Sequence, residues 1–142
     1  MVAETLLCLA LNIYYEAGRE PEEGKLAVAH VTMNRVNDPS FPQSVCGVVK
    51  QRTHRVEGEE KITICQFSWY CEPNKKIPPS NNPYWVDAKQ IAKDVLEGKT
   101  EDPTKGALYF HATRVKPNWK HLKRVKQIGN HIFYSPYRKN KA

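Results

Sequence analysis

An apolar helical stripe that ends in a carboxylate constrains this chain more than any other feature of its sequence. At about 100° per residue, Val2, Leu6, Leu9, Ile13 and Glu16 project within roughly 80° of one another. One face of a first helix therefore carries Glu16 where the pattern asks for a core residue. Gly18 and Pro21 stop that helix just beyond it, which leaves Glu16 in the last turn. There the negative end of the helix dipole and partial desolvation both disfavour the ionised form. A raised pKa is what a general acid needs near neutral pH. The plainer reading is a carboxylate that rims the core and pairs with Arg19 or Arg35, and only the rest of the chain decides between the two.

Two more long helices follow from the same reasoning. Pro21 at a first helical position opens Glu22 to Val36, which is nearly apolar over a wide face through Leu26, Ala27, Ala29, Val31, Met33 and Val36. That breadth predicts a helix in the centre of the domain, ended by Asn37-Asp38-Pro39. Asn82 as N-cap and Pro83 behind it open a third helix, which carries Tyr84, Trp85, Ala88, Ile91, Ala92, Val95 and Leu96 and is closed by Gly98. Between these lie a short helical piece from Ser44 to Lys50, a charged mobile loop from Arg52 to Lys61, and a strand or hairpin from Ile62 to Trp69. Pro73 to Asn82 is loop by composition. Ala107 to Phe110 and Val125 to Tyr134, with a turn at Gly129-Asn130, read as short helical or extended pieces. A single domain over residues 1–142 is expected, with most of its ordered elements helical.

With 142 residues, 40% of them apolar and 26% charged, the chain can bury a core of its own. Its formal charge of +7 favours a polyanionic partner: nucleic acid, an anionic membrane surface or a bacterial wall. Lys116, Lys120, Lys123, Arg124 and Lys126 otherwise make a solvated face. No segment reaches the ~18 uninterrupted apolar residues of a membrane span. The stretch Thr5 to Tyr15 lacks the basic leader and cleavage site of a signal peptide, so neither membrane insertion nor an export signal is expected of the chain. Cys8, inside the first helix, reads as a small buried hydrophobe. Cys65 and Cys71 are spaced for a disulfide across a short loop, with Cys46 a third candidate, and no cysteine or histidine spacing fits a metal. No metal or cofactor is expected.

Three local clusters mix aromatic rings with amides, hydroxyls and imidazoles: Tyr14 to Pro21, Cys65 to Trp69, and Ala107 to His111 with Gln127 to Tyr134. Rings that stack on pyranose faces and polar groups that fix hydroxyls make a sugar-binding groove. Taken in order, Glu16-Ala-Gly-Arg-Glu-Pro21, Val31-Thr-Met-Asn-Arg35, Pro39-Ser-Phe-Pro42, Val45-Cys-Gly-Val-Val49, Gln66-Phe-Ser68 and Ile128-Gly-Asn-His131 resemble the cell-wall hydrolase family of spore cortex-lytic enzymes, which has members in bacteria and phages. The resemblance implies an α+β, mostly helical fold: a lysozyme-like, two-lobed domain with a small β-hairpin region. It implies cleavage of the peptidoglycan glycan between N-acetylmuramic acid and N-acetylglucosamine. It also implies Glu16 as the catalytic residue, with Gln66, Phe67, Ser68, Trp69, Tyr109, His111 and His131 as substrate-binding residues. The segment Arg52 to Lys61 does not align with the family, and no separate wall-binding domain accompanies the motifs, so anchoring would fall to the basic surface.

Counting carboxylates narrows the expected mechanism. An inverting hydrolase needs a second carboxylate about 6.5–9.5 Å from the acid and a retaining one about 5–5.5 Å away. Glu57, Glu59 and Glu60 fall in the loop read as mobile, Glu72, Asp87 and Asp94 sit in no recognisable motif, and Asp38 is held by a turn. The expected path is therefore that of a lytic transglycosylase with one carboxyl group, with Ser68 and Tyr109 orienting it. A hydrolytic muramidase and a non-catalytic wall-binding module are the alternatives. No nucleic-acid-binding motif is present, so the partner expected is peptidoglycan, bound by a monomer. Either a phage endolysin acting through a permeabilised host membrane or a bacterial wall-lytic enzyme fits these features.

Overall fold

The first helix stops where the glycine predicts. In the computed structural model, which describes residues 2–137, α1 runs over Val2–Ala17. Gly18 N then donates to Tyr14 O at 3.0 Å. A Cβ on residue 18 would collide with that carbonyl, so a larger residue could close the helix this way only by displacing backbone. Leu9 and Ile13 of the stripe are fully buried, while the side chain of Val2 lies outside the described residues.

The central helix α2 (Glu22–Val36) matches its predicted span. Its start differs by one residue: Pro21 is the N-cap rather than the first helical residue, because its ψ of 162° is extended. Apolar clusters flank α2 on two sides. Ala29 faces a core built from α1, α3 (Val45–Val49), α4 (Pro83–Leu96), Phe67 and Trp69, whereas Ala27 and Val31 pack with Ala107, Ile128 and Phe133. Small residues on both faces let neighbours approach from either side, which is why the wide apolar face predicted burial. Lys25 of α2, also buried, is neutralised by Asp87 of α4 at 2.5 Å. The α4 start is as predicted, with Asn82 Oδ1 accepting from the backbone N–H groups of Tyr84 and Trp85.

Two antiparallel sheets complete an α+β architecture. The predicted mobile loop is instead ordered: β1 (Arg52–Glu57) and β2 (Glu60–Cys65) form a hairpin around Gly58, whose φ is +62°. Thr53, Val56, Ile62, Thr63 and Ile64 supply β-branched residues between the charges, and these favour extended backbone. The charges mark solvent exposure on a projecting hairpin rather than absence of structure. Of the two forms expected for the tail, helical or extended, it takes the extended one. β3 (Tyr109–Ala112), β4 (Leu122–Ile128) and β5 (His131–Pro136) order as β3-β5-β4, and Gly129, at φ +57°, turns β4 into β5. A register shift interrupts β4 between Arg124 and Lys126.

Cysteine usage follows the sequence reading at Cys65 and Cys71 and departs from it at Cys8. Cys8 is buried, but it is bonded to Cys46, tying α1 to α3, and Cys65 is bonded to Cys71 across the turn that follows β2. A helical position says nothing of what lies across the core, so the Cys8 partner is invisible to spacing arguments.

Candidate active site

α1 delivers Glu16 to a cleft floored by β3 and by the segment after β2. The cleft, of about 630 Å³, is lined by Glu16, Arg35, Gln66, Phe67, Ser68, Tyr109, His111 and His131 among others. Seven of the eight predicted site residues thus converge. Trp69 does not: it is buried in the core, its Nε1 donating to Asn12 Oδ1 at 2.9 Å. Alternation along this segment exposes Gln66 and Ser68 and turns Phe67 and Trp69 inward; Phe67 still lines the cleft, whereas Trp69 does not. Trp69 instead stacks on Tyr15 at 5.0 Å and so holds the residue beside Glu16. A second recess, of about 380 Å³, opens between Tyr14, Arg19, Glu20 and Tyr84, and Tyr15 and Glu16 line both recesses. A chain laid across the two would pass over Glu16.

Glu16 makes no hydrogen bond or ion pair among the described residues. Burial pushes its pKa up to about 7, against the pull of Arg35 and with a push from Glu72. Arg19, one of the two partners considered for it, turns away to stack on Tyr84 at 4.4 Å. Carbon-detected NMR should therefore find a Glu16 titration centred near 7 rather than the ~4.3 of a free Glu. A midpoint at or below the ordinary value would remove the acid from consideration.

β3 alternates its side chains, so Phe110 packs on Phe133 at 5.5 Å while Tyr109 and His111 take the other face. His111 Nδ1 donates to Ala112 O at 2.7 Å, which leaves Nε2 to meet the Tyr134 hydroxyl at 2.8 Å. Trp119 stands edge-on to His111 and Tyr134, at 5.2 and 5.1 Å. This ring cluster is the rigid aromatic wall a pyranose can stack on, and Trp119 escapes a reading of the sequence because it stands alone in a basic stretch.

Two further residues, not among the expected site residues, complete the surroundings of Glu16. Arg35 reaches the cleft from α2, 3% exposed, with its guanidinium against Phe41, Phe67 and Tyr109 at 5.0–5.5 Å. Glu20 accepts from Asn130 N at 2.8 Å and from Asn130 Nδ2 at 3.0 Å, and its Oε1 is 3.8 Å from His131 Nδ1. It thereby fastens the β4–β5 turn to the loop after α1. Despite its burial, the Asn130 bonds and His131 hold the Glu20 pKa below the usual carboxylate range. Burial lowers that of His131.

Four of the other carboxylates are engaged elsewhere. Asp87 pairs with Lys25, Glu57 with Arg55, and Asp94 with Gln90, while Asp38 accepts from Ser40 N. Glu72, which is exposed, is the second carboxylate whose charge reaches Glu16.

Residues 19–134 match the cell wall hydrolase family. The match opens just past Glu16, so the geometry around Glu16 has to argue its role. The chain is similar to the spore cortex-lytic enzyme of Bacillus subtilis, with 33% identity over 88% of this chain and 35% of that protein. Its similarity to the spore cortex-lytic enzyme of Oceanobacillus iheyensis is also 33% identity, over 88% of this chain and 39% of that one. The chain thus spans little more than a third of the length of these curated relatives. Among solved structures it is similar to the catalytic domain of the germination-specific lytic transglycosylase SleB from Bacillus anthracis, with a TM-score of 0.71, 28% identity and coverage of 92% and 93% of the two chains. For the catalytic domain of the Bacillus cereus SleB protein the TM-score is 0.67, with 29% identity and 93% and 91% coverage.

Proposed function

The chain belongs to the cell wall hydrolase family, and from that premise we propose that it cleaves peptidoglycan glycan strands between N-acetylmuramic acid and N-acetylglucosamine as a lytic transglycosylase. The observation that carries this reading is Glu16, a carboxyl group that burial raises to a pKa of about 7 and that lines both recesses. The α+β arrangement around it, four helices with a two-stranded and a three-stranded antiparallel sheet, supports a lysozyme-like domain.

Glu16 protonates the glycosidic oxygen as the bond from muramic C1 breaks, freeing the 4-hydroxyl of N-acetylglucosamine. The resulting carboxylate takes the proton from the muramic 6-hydroxyl as that oxygen bonds to C1. A 1,6-anhydro ring closes, the proton count balances, and no water is consumed. Rings at Tyr109 and Trp119, with Gln66, Ser68, His111 and His131, hold the saccharide in register. Glu20 could serve a water-activating role only by leaving Asn130, and Glu72 stands exposed, which favours ring closure over hydrolysis.

Products decide between the two outcomes. Digestion of purified peptidoglycan should release muropeptides one water lighter than hydrolytic ones and without a reducible muramic end. Mass spectra dominated by reducing N-acetylmuramic acid would replace the transglycosylase with a muramidase. Reducing N-acetylglucosamine ends would show that the other glycosidic bond is cut.

A further inference from the structure

Arg35 holds a buried donor with no use in the resting protein. Its Nε donates to Leu108 O at 2.7 Å, but Nη1, also buried, has no partner among the described residues. Such a group calls for a specific explanation, because an unmatched buried donor works against folding. Three aromatic rings pack around the guanidinium and hold it as a rigid plane at the cleft floor. Glu16 lines the same cleft, close enough for each charge to act on the other, yet the two form no ion pair.

We propose that Arg35 is a positioning residue whose unpaired Nη1 is reserved for the Glu16 carboxylate in the anionic state that follows proton donation. The inference rests on Glu16 being the acid, and it adds what receives the conjugate base. While Glu16 is protonated, the donor stays idle. Once the proton moves to the glycosidic oxygen, the new anion has only to close on a cation already held in the same cleft. Arg35 keeps its own protons throughout, so the proton Glu16 lends is recovered from the muramic hydroxyl alone. Glu72 and Tyr109 also face this pair, from the segment after the turn Ser68–Cys71 and from β3. His111, Arg114 and His131 line the same cleft. Of these groups, Arg35 is the cation that draws the Glu16 pKa down against its burial.

The test uses Arg35→Gln, which drops the charge, and Arg35→Lys, which keeps it. In Arg35→Gln the Glu16 NMR midpoint and the alkaline limb of peptidoglycan cleavage should both move up by roughly one pH unit or more. Its kcat should fall about tenfold for every pH step of that size by which the midpoint rises, while KM stays near the wild-type value. Arg35→Lys should restore most of both. In the wild-type protein, the guanidinium nitrogen resonances of Arg35 should move with the Glu16 midpoint, and that titration should vanish in Glu16→Gln; this arm needs no folded Arg35 variant. Unchanged midpoints in Arg35→Gln, or Arg35 resonances indifferent to Glu16 in the wild type, would overturn the proposal. Retained cleavage by Glu16→Gln would instead overturn the acid assignment beneath it.

Discussion

Replacing Glu16 by Gln should remove wall-degrading activity by about a thousandfold while leaving the fold intact, since the amide matches the acid in shape but cannot lend and recover a proton. The fold should even gain. In the native state Glu16 has its pKa raised to about 7, above the ~4.3 of an unfolded chain. Such a group favours folding while protonated: its contribution is complete below the unfolded value and is lost as pH rises through the folded one. Gln has nothing to ionise, so Glu16→Gln should be more stable than the wild type above pH ~7 and the difference should shrink on acidification. Turbidity loss on purified peptidoglycan measures the first effect, and thermal melts across pH measure the second. An inactive variant that is also less stable at pH 8 would mean that the substitution damaged packing. Retention of more than a few per cent of activity would end the assignment of Glu16.

Glu16 can be found in the sequence because its signal is local. A stripe with a 100° repeat, a glycine and a proline fix where the helix runs and stops, and the same local chemistry locates α2 and the Asn82 cap of α4. The cleft's other charged members give no such signal. Arg35 enters the sequence reading only as a possible ion-pair partner of Glu16, and only tertiary packing buries it against Phe41 and Tyr109. Glu20 meets Asn130 across a sequence separation of 110 residues, a distance at which no periodicity speaks. The hairpin misleads for a different reason. Charge at alternate positions can mean either a solvated loop or a strand with its faces in water, and β1, exposed along its whole length, is the second case. Trp69 shows the limit of composition: an aromatic beside a polar pair looks like a sugar platform until the alternation of the backbone turns it inward.

Removing the Cys8–Cys46 bond should be the largest single loss of stability available outside the apolar core. It closes a loop with a sequence separation of 38, and chain-entropy reasoning puts the stabilisation from such a loop at about 4 kcal/mol. The Cys65–Cys71 bond, with a separation of 6, contributes about 2 kcal/mol on the same basis. In a chain of this size the Cys8→Ala/Cys46→Ala double variant should melt roughly 10–15 °C below the wild type, and Cys65→Ala/Cys71→Ala about half as far. Activity should follow the opposite order. Cys8 and Cys46 brace α1 against α3 at the core, whereas Cys65 and Cys71 bracket Gln66, Phe67 and Ser68, three residues of the cleft wall. At a temperature where both variants are folded, the first should cut peptidoglycan near the wild-type rate and the second should lose several-fold through a raised KM. Equal rates in the two variants would show that the bracketed segment keeps its shape without its disulfide, and that the short bond serves stability alone.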